Sequence, residues 1–460
     1  MILERDMFDY RVPGVYRQEA TVGARQDLQT GVPAFIGFAE SRSVGETSAP
    51  LDVLPDELQF PAEVAGRVRY DGDARQLIFS GAMSDEDFEA LLALSADESY
   101  TAAVQSLYVA SQGEGIWNRP VALFRQADFD SRFEGVAGCY LGDAVTGFFG
   151  NGGVKCYVVR CDPRLPDETS ITTALDSLVA LNDIDLVAAP DAMTLMRVDE
   201  AGVERQDVQA ITRVQKALLD HCAVHGGRFA ILDSLLGLIA SEALSQLKAL
   251  VVGISEPANG ALYYPWLRID GGRLVPPSGH VAGVYARTDA QSGYFKAPAN
   301  VQILGVIDLE TPVDNSIQDQ LNPEGINCLR AFPGRGIRVW GARTVSRDPA
   351  WRYVNVRRLF LTLQRWVDLN MAWATFEPNS PALWVRITRE LTSFLNDLWQ
   401  AGALVGETAE QAYFVKCDSE TNSAEVRDAG QAITEVGLAP GSPAEFVVVR
   451  IVHHIGVEPR

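Results

Sequence analysis

The sequence predicts an α/β fold: a mostly parallel sheet covered by helices on both faces, followed by an α+β segment of different texture. Three observations predict it. From residue 113 onward, short apolar strands alternate with amphipathic helices, and strands without a polar face belong inside a parallel sheet. The 460 residues, 47% apolar and 22% charged, have an ordinary globular composition, and the length is about three times that of one average domain. After about residue 345 the alternation stops and two longer helices follow.

Residues 1–27 are polar and show no helical period. They read as an extended arm around the apolar stretch Val12, Pro13, Gly14, Val15 and Tyr16. Within 28–44, the run from Val32 to Phe38 is dense enough in apolar residues to be the first core strand. Residues 41–60 are a Ser/Pro/Asp-rich linker. In GRVRYDGDARQLIFSG the alternation turns at Asp71-Gly72-Asp73, a hairpin signal. Ser84, with Asp87 three residues on, opens a helix over FEALLAL, and a second helix runs from about Tyr100 to Ser111. Residues 45–112 thus form a small inserted β-hairpin/helix module, expected to face outward with its acidic surface.

The core covers 113–345. VKCYVVR (154–160), DIDLVAAPD (183–191) and RFAILD (228–233) are apolar-centred strands. ITTALDSLVAL and VQAITRVQKALLDHCAVHG (208–226) are helices, the second amphipathic and closed by Gly226-Gly227. ALYYPWLRI is a further apolar run, and Ser278 is placed to cap a helix over SGHVAGVYARTD. In the C-terminal segment, 346–442, WRYVNVRRLFLTLQRWVDLN and PALWVRITRELTSFLNDLWQAGAL are long helices on either side of the turn FEPNS. A strand, AYFVKCD, and a polar loop follow. The final segment, 443–460, carries PAEFVVVRIVHHI, a strand too apolar to be left on an exposed edge. No obvious local hairpin supplies it with a partner.

Lys+Arg 39 against Asp+Glu 60 gives a net charge of −21, which argues against nucleic acid or an anionic membrane as the main partner. No run of about 18 apolar residues is present to span a bilayer. The charged start MILERD lacks the apolar core of a signal peptide, so a cytoplasmic origin is expected. Charge is unevenly spread: residues 1–120 hold 20 acids and 9 bases, whereas 330–389 hold 11 arginines against Asp348, Asp368 and Glu377. The arginine-dense segment is expected to meet a negative partner, with Arg343, Arg352, Arg357 and Arg358 serving internal or subunit–subunit contacts.

Signals of chemistry are sparse. Cys139, Cys156, Cys161, Cys222, Cys328 and Cys417 read as buried thiols in a reducing compartment. The sequence has no GxSxG elbow, GxxxxGK[ST] loop, HExxH or CxxC. Gly150-Asn-Gly-Gly153 precedes a strand and reads as a turn, because a phosphate cradle needs a helix N-terminus. His221 and His225 share a face in a last helical turn, where they suit the negative end of the helix dipole better than a metal lacking a third ligand. Ser234 follows Asp233 at a strand end without any mark of activation. No catalytic residue, metal or cofactor is expected.

Several unusual strings occur in one order: PGVY (13–16), GVPAFIGFAE (31–40), GIWNRPVAL (115–123), FFGNGGVKCYVVR (148–160), PPSGHVAGVYARTDAQSGYFKAPAN (276–300), LNPEGINCLR (321–330), GIRVWGART (336–344), WRYVNVRRL (351–359) and FEPNSPALW (376–384). On these residues the sequence resembles the contractile tail sheath family of myophages and of phage-tail-like contractile injection systems, over nearly the whole chain outside about 41–112. The resemblance implies a subtilisin-like α/β core without a working protease triad and a C-terminal α+β domain facing an inner tube. It also implies N- and C-terminal arms that reach into neighbouring subunits. The implied role is structural, with no enzyme activity: hexameric rings of this chain stack into a helical sheath, which contracts and drives the tube through a target membrane. The implied partners are the chain itself, the inner tube protein, baseplate and terminal cap proteins and sheath paralogues, without nucleic acid and without direct membrane insertion. Assembly in the cytoplasm and release within a phage tail or tail-like particle follow from the same likeness.

On this reading, Val12 to Tyr16 and the residues Glu445, Phe446, Val447, Val448, Val449, Arg450 and Ile451 add as strands to a neighbour's sheet. Head-to-tail contacts of that kind build stacked rings or helices. Arg386 and Arg389, at i and i+3 on one helix, are expected to grip an acidic tube surface through contacts weak enough to break on firing. Two other readings stand beside it: a sheath-related baseplate or adaptor ring protein, and a hydrolase on the same core.

Overall fold

Buried strands set the architecture. The computed structural model describes residues 28–441 apart from 42–45, 52–59, 62–63, 73–74, 81–82, 84, 96, 112–116, 163–164, 166, 200–201 and 255–257, and then the strand 447–454. Its large sheet contains β1 (Pro33–Gly37), β2 (Pro120–Leu123), β3 (Cys156–Arg160), β4 (Leu186–Ala188), β5 (Phe229–Asp233), β6 (Gly260–Tyr264), β7 (Val301–Gln302), β8 (Ile326–Phe332) and β9 (Gly336–Val339). Their spatial order is β7-β9-β8-β6-β5-β4-β1-β3-β2. The six strands from β8 to β3 are parallel, and at the two margins the pairings β2–β3, β9–β8 and β7–β9 are antiparallel. Counted along the chain, the parallel strands lie in the order 2-1-3-4-5-6, a doubly wound arrangement whose switch point falls between β1 and β4.

Both faces of this sheet are buried. Ala34, Ile36, Val159, Val187, Ala230 and Leu232 point to one core, and Phe35, Val158, Leu186, Phe229 and Ile231 to the other. Successive residues belong to opposite cores because the pleat has period two, so these strands read as unbroken apolar runs. The first core is closed by helices α2 (Asp167–Asp176), α3 (Val208–His225) and α4 (Ala240–Leu250), and the second by α1 (Leu141–Gly150) and α5 (Ser278–Ser292). Helix α5 lies tightly on α1 because Gly279 and Gly283 share one face. A Cβ would stand 2.3 Å from the Cα of Ala144 at the first position and 2.5 Å from the Phe148 carbonyl oxygen at the second. Ser278 is the first residue of α5 instead of its cap. The capping group comes from across the sheet, where Asp233 Oδ1 accepts from the Ser278 backbone N–H at 2.7 Å.

A separate apolar cluster joins the antiparallel strands Glu46–Pro50, Val68–Asp71 and Gln76–Ser80 to the helices Asp85–Leu92 and Glu98–Ser111, with Leu77, Phe79, Leu91, Tyr100, Val104 and Leu107 inside. At the other end of the chain, α6 (Val354–Asn370) and α7 (Pro381–Gln400) pack on β10 (Tyr413–Lys416) and β11 (Gln431–Leu438), with Leu363, Trp366, Leu391, Val436 and Leu438 in the core. The stretch expected to be a polar loop contains β11. Its polar residues hid the alternation: Ala432, Thr434, Val436 and Leu438 face inward, and the buried Asn422 side chain holds the strand through Ile433 N–H (2.6 Å) and Ile433 C=O (3.0 Å). The last described strand, β12 (Val447–His454), runs antiparallel to β11 over eight residue pairs, Val436 opposite Val449.

Candidate functional site

In a doubly wound sheet, small ligands sit beyond the carboxyl ends of the strands at the switch point. Here the protein's own side chains occupy that position. Asp191, fully buried, accepts from the backbone N–H of Phe38 (2.6 Å) and of Tyr140. Gly37 makes room for it, since a Cβ there would lie 2.3 Å from Asp191 Oδ2. Burial pushes the Asp191 carboxyl up to about 7 despite these donors. One strand further on, Asp233 is likewise raised to about 7 by burial, and its carboxylate is committed to the start of α5. Ser234, beside it, is buried, and its Oγ has no partner among the described residues. The His280 ring is packed against Gly147, its Nδ1 is unpartnered among the described residues, and burial lowers it to about 4. Neither Ser234 nor His280 is held in an acid–base relay.

The other titratable clusters are structural. The His221 ring lies 4.6 Å from that of His225, and His221 Nε2 stands 2.6 Å from Arg228 Nη1. Burial, then Arg228 and His225, lower His221 to about 3. All six cysteines lack a disulfide, and among the described residues no group of three His, Cys, Asp or Glu is placed to hold a metal. Among them, too, no helix is long and apolar enough to cross a membrane. Gly150-Asn-Gly-Gly153 is a turn, in which the Asn151 side chain bonds the carbonyls of Gly147 (2.9 Å) and Leu304 (3.0 Å).

The charged centre of the molecule lies at the opposite, amino ends of the strands. Arg358 of α6, 2% exposed, reaches Asp289 at the end of α5 (Nη1 to Oδ1, 2.8 Å) and Asp185 just before β4 (Nη2 to Oδ2, 2.9 Å). Its guanidinium also lies 4.9 Å from the centre of the Tyr285 ring. Burial opposes its charge, but Asp289 and Asp185 together hold its pKa above the ordinary arginine value. Asp185 also accepts from the N–H groups of Gly31 (3.0 Å) and Val32 (2.7 Å). One arginine therefore ties the C-terminal helix, the core and the entry to β1 together. Its neighbour Arg357 bonds Asn259 Oδ1 (2.6 Å) and stacks over Trp351 at 4.5 Å. Arg343 lies 5.7 Å from the Tyr353 ring, and Arg352 is exposed.

Of the residues expected to contact other subunits, Val12 to Tyr16, Glu445 and Phe446 lie outside the described residues. Val447, Val448, Val449, Arg450 and Ile451 belong to β12, which does have a partner in its own chain, β11. That partner is hidden in the sequence because the polar residues of β11 make it read as loop. Strand β12 forms one margin of the three-stranded sheet β10-β11-β12. On α7, Arg386 is already engaged: it lies 3.5 Å over Trp373 and pairs with Glu377 (3.6 Å) and Glu390 (3.4 Å). Arg389 is exposed and has no partner among the described residues.

At the switch point, then, the buried carboxylates accept from backbone N–H groups, and the chain is an α/β protein whose terminal sheet ends on the marginal strand β12. Comparison with known proteins is specific. Residues 178–345 match the phage tail sheath protein central domain and residues 346–453 the phage tail sheath C-terminal domain. The chain belongs to the phage tail sheath family. A tail sheath protein of Vibrio phage KVP40 is 24% identical over 297 residues, covering 58% of this chain and 43% of that relative. The chain spans less than half the length of the curated relatives it matches. Chains in the baseplate and in the contracted helical sheath of the anti-feeding prophage superpose with a TM-score of 0.63 at 28% identity, over 96% of this chain and 98% of theirs. A chain of the contracted sheath complex of the extracellular contractile injection system PVC gives a TM-score of 0.60 at 25% identity, over 96% and 97%.

Proposed function

We propose that this chain is the subunit of a contractile sheath: it polymerises as stacked rings around an inner tube and shortens to drive that tube through a membrane. The likeness over 96% of the chain to sheath chains of two injection particles carries the reading. The core, 113–345, takes the part of the family's subtilisin-like body. It is supported by a parallel sheet with helices on both faces, although the strand order is that of a doubly wound fold. Segment 346–442 takes the tube-facing part, with 28–44 as the first strand region. Baseplate and cap proteins terminate the polymer, and sheath paralogues join it. Assembly takes place in the cytoplasm before the particle is released. The subunit needs no catalytic residue, because an assembly trapped in one packing and released to another can do work without hydrolysis.

The terminal arms, 1–27 and 443–460, link subunits on this reading. A neighbour's strand makes the same ladder with β11 as the chain's own β12, so exchange costs little once copies are adjacent. At about 0.5–1.5 kcal/mol net per hydrogen bond, a strand of this length contributes several kcal/mol to each link. Arg389 is the better candidate for the tube contact, since Arg386 is engaged within its own domain. Negative-stain microscopy after co-expression with the tube protein tests the reading. Striated tubes are expected, fewer of them with Arg389→Glu. Rings without tubes would favour the adaptor reading, and labelling by a serine-directed probe the hydrolase.

A further inference from the structure

Arg365 lies on α6 seven residues beyond Arg358, on the helix face turned to the sheet. It is 8% exposed, yet its guanidinium forms no hydrogen bond or ion pair among the described residues, and its Nε and Nη1 are both buried without an acceptor. It lines a cavity of about 220 Å³ together with Leu28, Ile184, His225, Arg228 and Asp368. The site is built for this side chain. A Cβ on Gly227 would lie 2.3 Å from Arg365 Cγ, and one on Gly226 2.3 Å from the amide of Gln364, so the glycine pair admits the helix at this point. The nearby carboxylates are committed elsewhere: Asp185 to Arg358 and two backbone N–H groups, and Asp183 to Lys155 and Tyr157. Arg228 spends its Nη2 on the carbonyls of Leu178 and Leu181. Burial lowers the Arg365 pKa from its ordinary value, with Arg358 acting in the same sense and the charges of Asp185 and Asp183 opposing it.

We infer that this cavity is a carboxylate-binding site in which Arg365 supplies the contacting cation. Two arginines against Asp368 leave one positive charge on the lining, which suits a monoanionic carboxylate better than a phosphate dianion. That carboxylate comes either from a small free acid or from an acidic side chain on a second copy of this chain, whose 60 acidic residues outnumber its 39 basic ones.

The test titrates the full-length chain with sodium acetate against sodium chloride and inorganic phosphate at matched ionic strength, by calorimetry, and follows self-association by sedimentation. Acetate is expected to bind saturably and better than phosphate. Arg365→Gln should weaken it about tenfold, and Asp368→Asn should tighten it severalfold. If the second copy is the source, Arg365→Gln should also weaken self-association about tenfold, and acetate should compete with self-association of the wild type. Asp368 sits at the exposed rim, so its variant and the acetate competition decide the matter even if Arg365→Gln does not fold. The inference is overturned if acetate behaves like chloride toward both the wild type and Asp368→Asn while leaving self-association unchanged. Neither measurement involves a tube, so that failure would leave the sheath reading standing.

Discussion

Arg358 sits where three parts of the chain meet, and its removal strands two buried carboxylates. Asp289 and Asp185 would be left buried without their cation, and breaking such a pair costs about 3–5 kcal/mol. Arg358→Ala is therefore expected to lower the urea midpoint sharply, and Arg358→Met combined with Asp289→Asn to recover part of the loss; an unchanged midpoint in Arg358→Ala would contradict the tie. The second residue-scale expectation concerns pH. The native pKa of His280 is lowered to about 4 from 6.5, so between these values the unfolded chain binds a proton that the native state refuses. Stability from this group is full above about pH 6.5 and is lost as pH falls toward 4, by about 2 kcal/mol between pH 7.5 and pH 5. Asp191 and Asp233, raised to about 7, act in the opposite sense, because the native state takes up their protons first. The wild-type profile sums these opposing contributions with that of His221, lowered to about 3, so the comparison to make is with His280→Phe. Denaturant unfolding should show the variant gaining about 2 kcal/mol on the wild type over that interval. Parallel profiles for the two proteins would mean that His280 titrates normally.

At the scale of elements, the core strands were legible because burial on both faces leaves a signature that needs no partner to interpret. RFAILD became Phe229–Asp233, and VQAITRVQKALLDHCAVH became the helix Val208–His225, ended by Gly226. What stayed hidden depends on distant residues. Asp233 caps α5 from another strand, and β11 carries too many polar residues to look like a strand until Asn422 and β12 are seen beside it. Arg358 and Arg365 did leave a trace, as two arginines seven residues apart on the apolar face of one helix. The terminal sheet yields the next expectation. Ending the chain at 441 removes β12 and bares one edge of β11, whereas Val436 and Leu438 stay packed on the helices. The truncated protein should keep the unfolding transition of its core but self-associate through the open edge. A peptide spanning 443–456, added in trans, should bind saturably and restore the monomer, as read by sedimentation. A truncated chain that stays monomeric and ignores the peptide would remove the basis for lending the strand between subunits.

At the scale of the molecule, the separation of apolar clusters decides what can be removed. The strands and helices between Glu46 and Ser111 enclose their own core, around Leu77, Phe79, Tyr100 and Val104, apart from the two cores that flank the large sheet. The module is entered after the strand Ala39–Ser41 and left before β2, and neither of these depends on its interior. Ala39–Ser41 pairs with Phe133–Gly135, and β2 pairs with β3, so both junctions are anchored within the main body. A body of this kind loses an insertion without losing its own burial, and a short Gly/Ser linker suffices because loop closure changes slowly with length. Replacing 45–112 by such a linker should leave the unfolding of the core and the cluster around Arg358 intact. If the module is an outward decoration whose acidic groups keep the polymer soluble, the shortened chain should still form sheaths with the tube protein, and these should bundle at lower ionic strength than wild-type sheaths. A shortened chain that folds as a monomer yet forms no sheath would instead place the module within a subunit contact.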